Sequence, residues 1–540
     1  MRQLFLLLLP CLSFGENPPT ICVELGGACY LGSWKNSSND TRFASFQGVR
    51  YAKSPINDLR FKAPELFQSG EALWDVSGDS MILCPQPALF EKFMIGVEDC
   101  LFLNIYVPET VFTNAATPLP VMFWIHGGSL LYGSNGYQSQ GPKHLMDKGM
   151  IVVTINYRLG PLGFLSLGTT EVPGNAGLWD QQVALTWVNE NIASFGGDPS
   201  SITIFGESAG SLSIALHILS PKSEGLFQRA ILQSGTAIDP SWGPTTQEHA
   251  QNYASMFIEK LGCDHEKDVL ACLQQKDVNE IVDLTDMFEM DNVWMPVPDG
   301  DFLPDDADAL LKMGEFNKDV DIMIGTNADE GILYVLDQLA NPSLWDDYVD
   351  LFAIDGPRYL FNIVLPEDVT EEDKKKANEL AEFYVGPMDN LDEYHKQEIF
   401  NMFTDAGFLY GTRKTIDYFL AQNMTVYEYI LTYQGEFSLS EVFGVSPEGV
   451  CHGDDLLYLW DPVSPLGNIS QPLDLQVRES VVSAWTNFAT FGNPTPPGSN
   501  VLWEPSDVSH NYWNISGLTP SMGHSVEIDK RMEKWHQVVG

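Results

Sequence analysis

The feature that most constrains the fold is a repeated alternation of short apolar runs with longer segments of helical periodicity. The apolar runs, rich in β-branched and aromatic residues, are typical of buried strands; they span 121–125, 151–157, 202–205, 230–233, 320–325 and 426–432. Helical patterns cover 179–195, 212–219 and 477–491. Because helices between strands favour parallel pairing, the sequence predicts an α/β fold with a large, mostly parallel sheet and helices on both faces.

Two long segments, 240–320 and 339–421, carry mainly helical patterns with acidic loops. We interpret them as helical insertions that cap the sheet and shape a pocket. No internal repeat or low-complexity tract divides the 540 residues. One sheet with insertions can fill this length, so we expect a single domain over residues 16–540.

Residues 1–15 have the pattern of a signal peptide. Met1 and Arg2 give a cationic start, a leucine-rich run follows, and small residues lie near Gly15. The apolar run is shorter than the roughly 20 residues of a membrane-spanning helix, and no later stretch reaches that length. We therefore expect a secreted, extracellular protein without a membrane anchor.

Two other features are typical of an exported protein. Asn-x-Ser/Thr triplets without proline predict N-glycosylation at Asn36, Asn39, Asn423, Asn468 and Asn514. Of eight cysteines, Cys11 leaves with the signal peptide, so seven remain. In an oxidising compartment six of these can pair and one is left over.

The charge balance restricts the partners. The chain has 29 Lys and Arg against 73 Asp and Glu, a formal net charge of −44. Such a surface repels phosphate backbones and anionic membranes, so nucleic acid is excluded as a partner. The acidic residues are scattered along the chain, and we interpret them as a solvated surface.

The strongest local motif is Gly206-Glu207-Ser208-Ala209-Gly210, directly after one predicted strand and before a predicted helix. A Gly-x-Ser-x-Gly sequence at such a junction places the serine on a sharp turn at the carboxyl edge of the sheet. The following helix adds a favourable field for a developing oxyanion. Ser208 is thus a candidate nucleophile, with a chance glycine turn as the alternative.

A serine nucleophile needs a base and an acid, in the chain order Ser, acid, His. Glu330 follows a buried strand, with Asp329 as its local rival. The histidines beyond it are His395, His452, His510, His524 and His536. Spacing favours His452, in a glycine-flanked loop after a strand, without excluding the others.

Acyl transfer also requires donors for the oxyanion. His126-Gly127-Gly128-Ser129 follows the strand 121–125, where backbone N–H groups can be presented without side-chain obstruction. The N–H of Ala209, after the candidate nucleophile, completes the expected arrangement. A simple glycine turn is the alternative.

Together these motifs resemble the type-B carboxylesterase and cholinesterase family of the α/β-hydrolase fold, from about Val23 to Phe488. The nucleophile signature spans 195–210, and a second signature spans 98–108. Further similar stretches are 156–158, 174–181, 299–304 and 324–331. The resemblance implies a Ser208, Glu330 and His452 triad, with Glu330 rather than Asp329 as the acid. It also implies N–H donors at Gly128, Ser129 and Ala209.

The resemblance further implies disulfides Cys84–Cys100 and Cys263–Cys272, and buried ion pairs of Arg60 with Glu98 and of Arg158 with Asp180. Ser129 departs from the family pattern, which has a third glycine there. Its side chain narrows the floor of the oxyanion hole, which puts the size of the accepted acyl group in doubt. Cys22 and Cys29 could bridge a hairpin at Gly26-Gly27, which would leave Cys451 as a buried free thiol.

We therefore expect a secreted serine carboxylesterase whose partners are a small neutral carboxylic ester and water. The alternatives are a cholinesterase-like or lipase-like ester hydrolase and a non-catalytic binding protein; the complete triad argues against the last. Against choline esters, the loop between Cys84 and Cys100 lacks tryptophan and offers only Phe90 and Phe93, with Lys92 between them. No cofactor is needed, and no ligand spacing indicates a metal.

Overall fold

The computed structural model describes residues 18–24, 27–68, 70–79, 81–88, 91–113, 117–285, 293–345, 352, 356–363, 368–387, 393–461, 466–495, 498–499, 502–517 and 519–540. The predicted signal peptide at 1–15, together with Gly26 and Phe90, lies outside the described residues. The side chain of Lys92 also lies outside them.

The strands are β1 (Thr20–Cys22), β2 (Cys29–Leu31), β3 (Ser33–Asn36), β4 (Arg42–Arg50), β5 (Leu73–Asp75), β6 (Gln86–Ala88), β7 (Glu91–Ile95), β8 (Phe102–Pro108), β9 (Leu119–Ile125), β10 (Ile151–Ile155), β11 (Gly197–Glu207), β12 (Arg229–Gln233), β13 (Asp321–Asn327), β14 (Val426–Leu431), β15 (Tyr512–Ile515) and β16 (Ser521–Gly523).

The α-helices are α1 (Thr110–Thr113), α2 (Lys143–Met146), α3 (Gly160–Phe164), α4 (Ala176–Asn191), α5 (Ala209–Leu219), α6 (Gln247–Lys260), α7 (Val269–Gln274), α8 (Val278–Val282), α9 (Ala307–Met313), α10 (Leu336–Ala340), α11 (Glu371–Val385), α12 (Lys396–Thr404), α13 (Tyr410–Ala421), α14 (Leu456–Leu459), α15 (Pro472–Phe491) and α16 (Val526–Val539). Short 3₁₀ helices span Asn57–Leu59, Ile192–Phe195, Glu330–Val335, Pro342–Leu344, Glu393–His395 and Leu439–Phe443.

The core of the fold is an 11-stranded sheet in the order β16-β15-β14-β13-β12-β11-β9-β10-β8-β4-β3. The strands from β10 to β15 in this order are parallel, whereas β16, β8, β4 and β3 pair antiparallel. The predicted mostly parallel sheet is confirmed. Its parallel strands end at one common edge, so the loops that follow them can meet there.

Residues of β9 show why both faces of the sheet are covered. Met122 and Trp124 point into one buried apolar cluster, and Phe123 and Ile125 point into another. Side chains alternate between the two faces of a strand, so an uninterrupted apolar run requires packing on both sides. Each such side chain contributes about 1.5–3 kcal/mol when fully buried.

The antiparallel strands at the amino-terminal side of the sheet have no counterpart among the predicted elements. Strand β4 contains Ser45, Gln47 and Gly48, which interrupt its apolar pattern. Ser45 and Gln47 are nevertheless buried, and Gln47 Nε2 donates to Ser45 Oγ at 3.0 Å. This bond and a second one, from Gln47 Nε2 to Asp79 Oδ1 at 3.2 Å, pair the amide donors of Gln47 inside the fold, which no hydropathy pattern indicates.

The two predicted helical insertions are helical in the structure. Helices α6–α9 lie between β12 and β13, and α10–α13 lie between β13 and β14. Helices α12 and α13 are joined by a single π-helical segment, Asp405–Leu409, which we call the π turn. A third apolar cluster, which includes Leu380, Phe400 and Trp535, packs this second insertion against α16. Among the described residues, no helix is long and apolar enough to cross a membrane.

Candidate active site

Ser208 lies on the sharp turn between β11 and α5. Its backbone angles are φ 58° and ψ −124°, a conformation that costs an L-residue about 1–3 kcal/mol. A Cβ atom on Gly206 or Gly210 would lie 2.6 Å or 2.1 Å from the carbonyl oxygen of Ile125. The two glycines therefore let the turn approach β9 closely enough to hold the serine at the sheet edge.

His452 and Glu330 meet at the same edge. The imidazole Nδ1 donates to Glu330 Oε2 at 2.6 Å. The other oxygen of Glu330 accepts the backbone N–H of Asn327 at 2.6 Å and the hydroxyl of Ser234 at 2.5 Å. Because the carboxylate is fully buried and has three donors, it can orient the imidazole and stabilise its protonated form.

Asp329, the rival acid, has a different set of partners. Its Oδ2 accepts the backbone N–H of Val450 at 2.9 Å, and its Oδ1 accepts Gln397 Nε2 at 2.7 Å. These bonds join the loop after β13 to the loop that carries His452. Asp329 thus holds two loops together, whereas Glu330 contacts the imidazole.

The rival histidines lie elsewhere. Nε2 of His510 pairs with Asp417 at 3.2 Å, and Nε2 of His524 pairs with Asp529 at 3.2 Å. His395 ends a short 3₁₀ helix and His536 lies on α16. Of the candidates that spacing left open, His452 is the one in contact with Glu330.

The loop after β9 lies against the nucleophile turn. A Cβ atom on Gly127 would lie 3.1 Å from the Cβ of Ser208. Gly128 and Ser129 have φ values of 101° and 54°, and Gly128 O accepts the N–H of Tyr132 at 2.8 Å. Within the described part of the chain, no bond uses the N–H of Gly128, Ser129 or Ala209 as donor. These groups are free to bind an oxyanion.

Sequence reasoning did not assign a role to Glu207, the residue before the candidate nucleophile Ser208. Its Oε1 lies 3.1 Å from His452 Nε2, and its side chain is buried. Burial raises the pKa of Glu207 to about 8. Glu207 is the last residue of β11, directly before the turn at Ser208, and this position is the feature of the sequence that could have indicated its place beside His452.

The electrostatics of His452 follow from these neighbours. Burial alone would lower the pKa of the imidazole, but Glu207, Glu330 and Asp455 raise it to about 9. With Nδ1 donating to Glu330, Nε2 and the Glu207 carboxylate can form a hydrogen bond only if one of them carries a proton. In the structure Glu207 Oε1 has no hydrogen-bond partner among the described residues, so its contact with Nε2 at 3.1 Å is electrostatic.

Aromatic side chains bound the site on the side of the second insertion. The Phe408 ring lies 4.7 Å from the His452 ring, centroid to centroid. Trp242 Nε1 donates to the carbonyl of Gly407 at 2.5 Å. A Cβ atom on Gly235 would lie 2.9 Å from the Trp242 ring and 2.7 Å from the carbonyl of Ser208. These aromatic rings reduce the space open to water around the base.

His126, at the start of the glycine loop, has a structural environment. It stacks on Tyr157 with ring centroids 4.4 Å apart, and its carbonyl accepts the Tyr157 hydroxyl at 2.8 Å. Burial lowers the pKa of His126 to about 4, so it is neutral. Among the described residues, no group of three or more His, Cys, Asp or Glu side chains is placed to hold a metal ion.

The structure joins the cysteines as Cys22–Cys29, Cys84–Cys100 and Cys263–Cys272 and leaves Cys451 as a buried thiol. Two ion pairs implied by the resemblance also form: Arg60 Nη2 lies 2.6 Å from Glu98 Oε2, and Arg158 Nη2 lies 2.7 Å from Asp180 Oδ1.

The predicted glycosylation sites differ in exposure. Asn36, Asn39, Asn423 and Asn468 are exposed, whereas Asn514 is half-buried in β15. Asn514 Oδ1 accepts the hydroxyl of Thr432 at 2.6 Å. Asn514 is therefore the sequon that the fold restricts most.

Comparison with known proteins places this site in a family. The model of the carboxylesterase family matches residues 20–533. The chain is similar to juvenile hormone esterase of Tribolium castaneum, with 34% identity covering 94% of this chain and 90% of that protein. It is also similar to venom carboxylesterase-6 of Apis mellifera, at 33% identity over 90% of this chain and 89% of that one. For bile salt-activated lipase of Bos taurus, the identity is 35% over 80% and 74% of the two chains.

Proposed function

The chain belongs to the carboxylesterase family, with the α/β-hydrolase fold and the activity of a carboxylic ester hydrolase, and we propose that it cleaves neutral esters through a Ser208 acyl-enzyme. His452 is the general base and Glu330 orients it. The observation that carries this assignment is the 2.6 Å bond from His452 Nδ1 to Glu330 Oε2, at the edge where β11 presents Ser208.

Acylation begins when His452 Nε2 accepts the proton of Ser208 and the serine oxygen attacks the ester carbonyl. Glu330 keeps the second imidazole proton on Nδ1, so that Nε2 is the basic nitrogen. The N–H groups of Gly128, Ser129 and Ala209 bind the oxyanion. Each such donor is typically worth about 2.7–4 kcal/mol.

Deacylation reverses these steps with water. The protonated imidazole first gives its proton to the departing alcohol. Water then loses a proton to His452 Nε2 and attacks the acyl carbonyl. When the bond from the acyl carbon to Ser208 Oγ breaks, the imidazolium returns that proton to Ser208 Oγ and the carboxylic acid leaves. The chain's own residues supply every proton transfer.

The substrate assignment rests on the loop closed by Cys84 and Cys100. Phe93 in this loop is 56% exposed, so a cation above its ring would keep much of its hydration. A cation–π contact gains about 2 kcal/mol or more only when the cation is desolvated. This supports neutral esters over choline esters. The relatives include a hormone esterase, a venom carboxylesterase and a lipase, so they do not indicate which acyl or alcohol group this chain prefers.

The mature protein is secreted and extracellular in this proposal, as a single domain over residues 16–540. The support is the signal-peptide pattern and the presence of three disulfides, which persist in oxidising compartments. Glycans are expected at the sequons, with Asn514 the least occupied because it is half-buried within β15.

The first test is Ser208→Ala. Loss of a triad nucleophile costs on the order of a millionfold in kcat in a comparable serine hydrolase. Ester turnover should therefore vanish while the thermal unfolding midpoint stays close to that of the wild type. More than a few per cent of wild-type turnover would refute the assignment of Ser208 as the nucleophile.

The second test separates neutral from cationic substrates with a matched pair. Butyrylthiocholine and 3,3-dimethylbutyl thiobutyrate have nearly the same shape and the same acyl group, but only the first carries a charge. We expect a kcat/KM at least equal for the uncharged ester. A clear preference for the thiocholine would indicate a cholinesterase.

A further inference from the structure

The π turn, Asp405–Leu409, is the irregular part of the second insertion. All its residues are buried. A π turn adds one residue to a helical turn, is uncommon, and occurs frequently at functional sites. Here it interrupts the helical stretch between α12 and α13.

The π turn and the residue before it contact both the base and the acid loop. Phe408 packs on the imidazole of His452 at 4.7 Å. Thr404, directly before the π turn, accepts the backbone N–H of Gly331 at 2.9 Å through its hydroxyl. Gly331 is the neighbour of Glu330, so a shift of this segment would move both partners of the 2.6 Å bond.

One ion pair anchors the π turn to α16. Asp405 Oδ2 lies 2.9 Å from Arg531 Nε, and Arg531 Nη2 donates to Asp405 Oδ1 at 3.2 Å. Tyr384 of α11 also donates its hydroxyl to Asp405. Burial raises the pKa of Asp405 to about 6, so the carboxylate is mostly ionised at neutral pH.

A pocket adjoins the π turn. This pocket of about 310 Å³ lies between the acid loop, the end of α12 and α16, and its lining includes Asn327, Asp329, Thr404, Leu409 and Arg531. Leu409 of the π turn and Thr404 directly before it line this pocket. The Arg531 side chain reaches the first residue of the π turn beside it.

We propose that Asp405 and Arg531 are a positioning pair for His452 and Glu330, acting through the π turn. The ion pair keeps the π turn from relaxing toward the pocket and thereby holds Phe408 against the imidazole and Thr404 against the acid loop. The proposal rests on the proposed function, since it concerns the base and acid of that reaction.

The test is a double-mutant set: Asp405→Asn, Arg531→Met and both together. Each single variant leaves one buried charge unpaired, which destabilises the fold. The double variant removes both charges and should regain most of the thermal stability. Because the anchor is still missing, its kcat should remain lowered on the order of 10-fold to 100-fold at nearly unchanged KM, the effect expected of a small misplacement.

A second ion pair on α13 provides a matched control. Arg413 Nε lies 2.7 Å from Glu428 Oε1, and both side chains are at most 5% exposed. Arg413→Met with Glu428→Gln removes the same chemistry from the helix after the π turn. The thermal stability of this control should change in the same direction as that of the Asp405→Asn/Arg531→Met double variant. Its kcat should stay within about twofold of wild type. Arg531→Lys, which preserves the charge, should restore part of the kcat that Arg531→Met loses.

The outcomes separate two kinds of failure. If kcat of the Asp405→Asn/Arg531→Met double variant returns with its stability, or if both ion pairs lower kcat equally, the positioning role is wrong. If Ser208→Ala retains turnover, the proposed function itself fails, whatever the ion-pair variants do. A lowered kcat in a stable double variant, with an inactive Ser208→Ala, supports both.

Discussion

Replacing Glu330 by glutamine should disable the base by reversing its tautomer. The amide places an oxygen on one side and an NH₂ group on the other. In the wild type, the backbone N–H of Asn327 donates to Glu330 Oε1 at 2.6 Å. Because only an oxygen can accept this N–H, the amide oxygen must take the Oε1 position. The NH₂ group then faces His452 Nδ1, which must become the acceptor, and the imidazole proton moves to Nε2.

The opposite orientation is less favourable. It would set the NH₂ group against the N–H of Asn327 and leave a buried donor unpaired, at a cost of about 1–3 kcal/mol. With Nε2 protonated, His452 cannot take the proton of Ser208. The corresponding change of a triad aspartate to asparagine in another serine hydrolase lowers kcat by about 10⁴, or about 5.4 kcal/mol at 1.36 kcal/mol per tenfold.

Asp329→Asn is the matched control, since it makes the same chemical change one residue away. Its side-chain oxygen can still accept the N–H of Val450, and its former bond to Gln397 lies near the surface. We expect kcat within about threefold of wild type, because the bond to Val450 that joins the two loops is retained and His452 keeps its contact with Glu330. Initial rates with p-nitrophenyl butyrate at pH 8 measure both variants. A greater loss for Asp329→Asn, or a loss below tenfold for Glu330→Gln, would refute this reasoning.

Three further predictions follow from the site and its surroundings. Glu207→Gln removes a carboxylate that raises the pKa of His452, so the acid limb of the pH profile of kcat/KM should move to lower pH by about 1–3 units. No movement, or a movement to higher pH, would contradict an electrostatic effect of Glu207 on His452. Ser129→Gly should raise the ratio of kcat/KM for a bulky acyl ester over an acetyl ester roughly tenfold, since a hydroxymethyl group leaves the oxyanion loop. An unchanged ratio would show that Ser129 does not limit the size of the acyl group. The Cys84–Cys100 disulfide, which closes a 16-residue separation, should stabilise by roughly 3 kcal/mol. Peptide mapping without reduction checks it, and an alkylated Cys84 from native protein would refute it.

The parallel strands from β9 to β14 could be predicted because each contains an apolar run. β10, for example, has Thr154 as its one polar residue among aliphatic ones. The antiparallel strands could not, since β4 contains Ser45 and Gln47, whose burial depends on a hydrogen bond formed only after folding. Their pairing with β8 also joins residues far apart in sequence.

The candidate site shows the same division. Ser208 is predicted from its motif, and the family resemblance selects Glu330 and His452 among the candidates that chain order leaves open. The structure brings these two side chains into contact. The contact of Glu207 with His452 joins residues that are far apart in sequence, and no local residue pattern indicates it. The π turn is equally hidden, because one extra residue between two helices leaves their helical periodicity nearly unbroken.

Labelling with a fluorophosphonate tests the central assignment most directly. The reagent forms a covalent bond with a serine only when a neighbouring base activates it. We predict one adduct per folded chain, located by peptide mapping on Ser208, lost in Ser208→Ala and formed far more slowly in Glu330→Gln. An active preparation whose adduct maps to another residue, or complete loss of ester hydrolysis while Ser208 stays unmodified, would contradict the assignment.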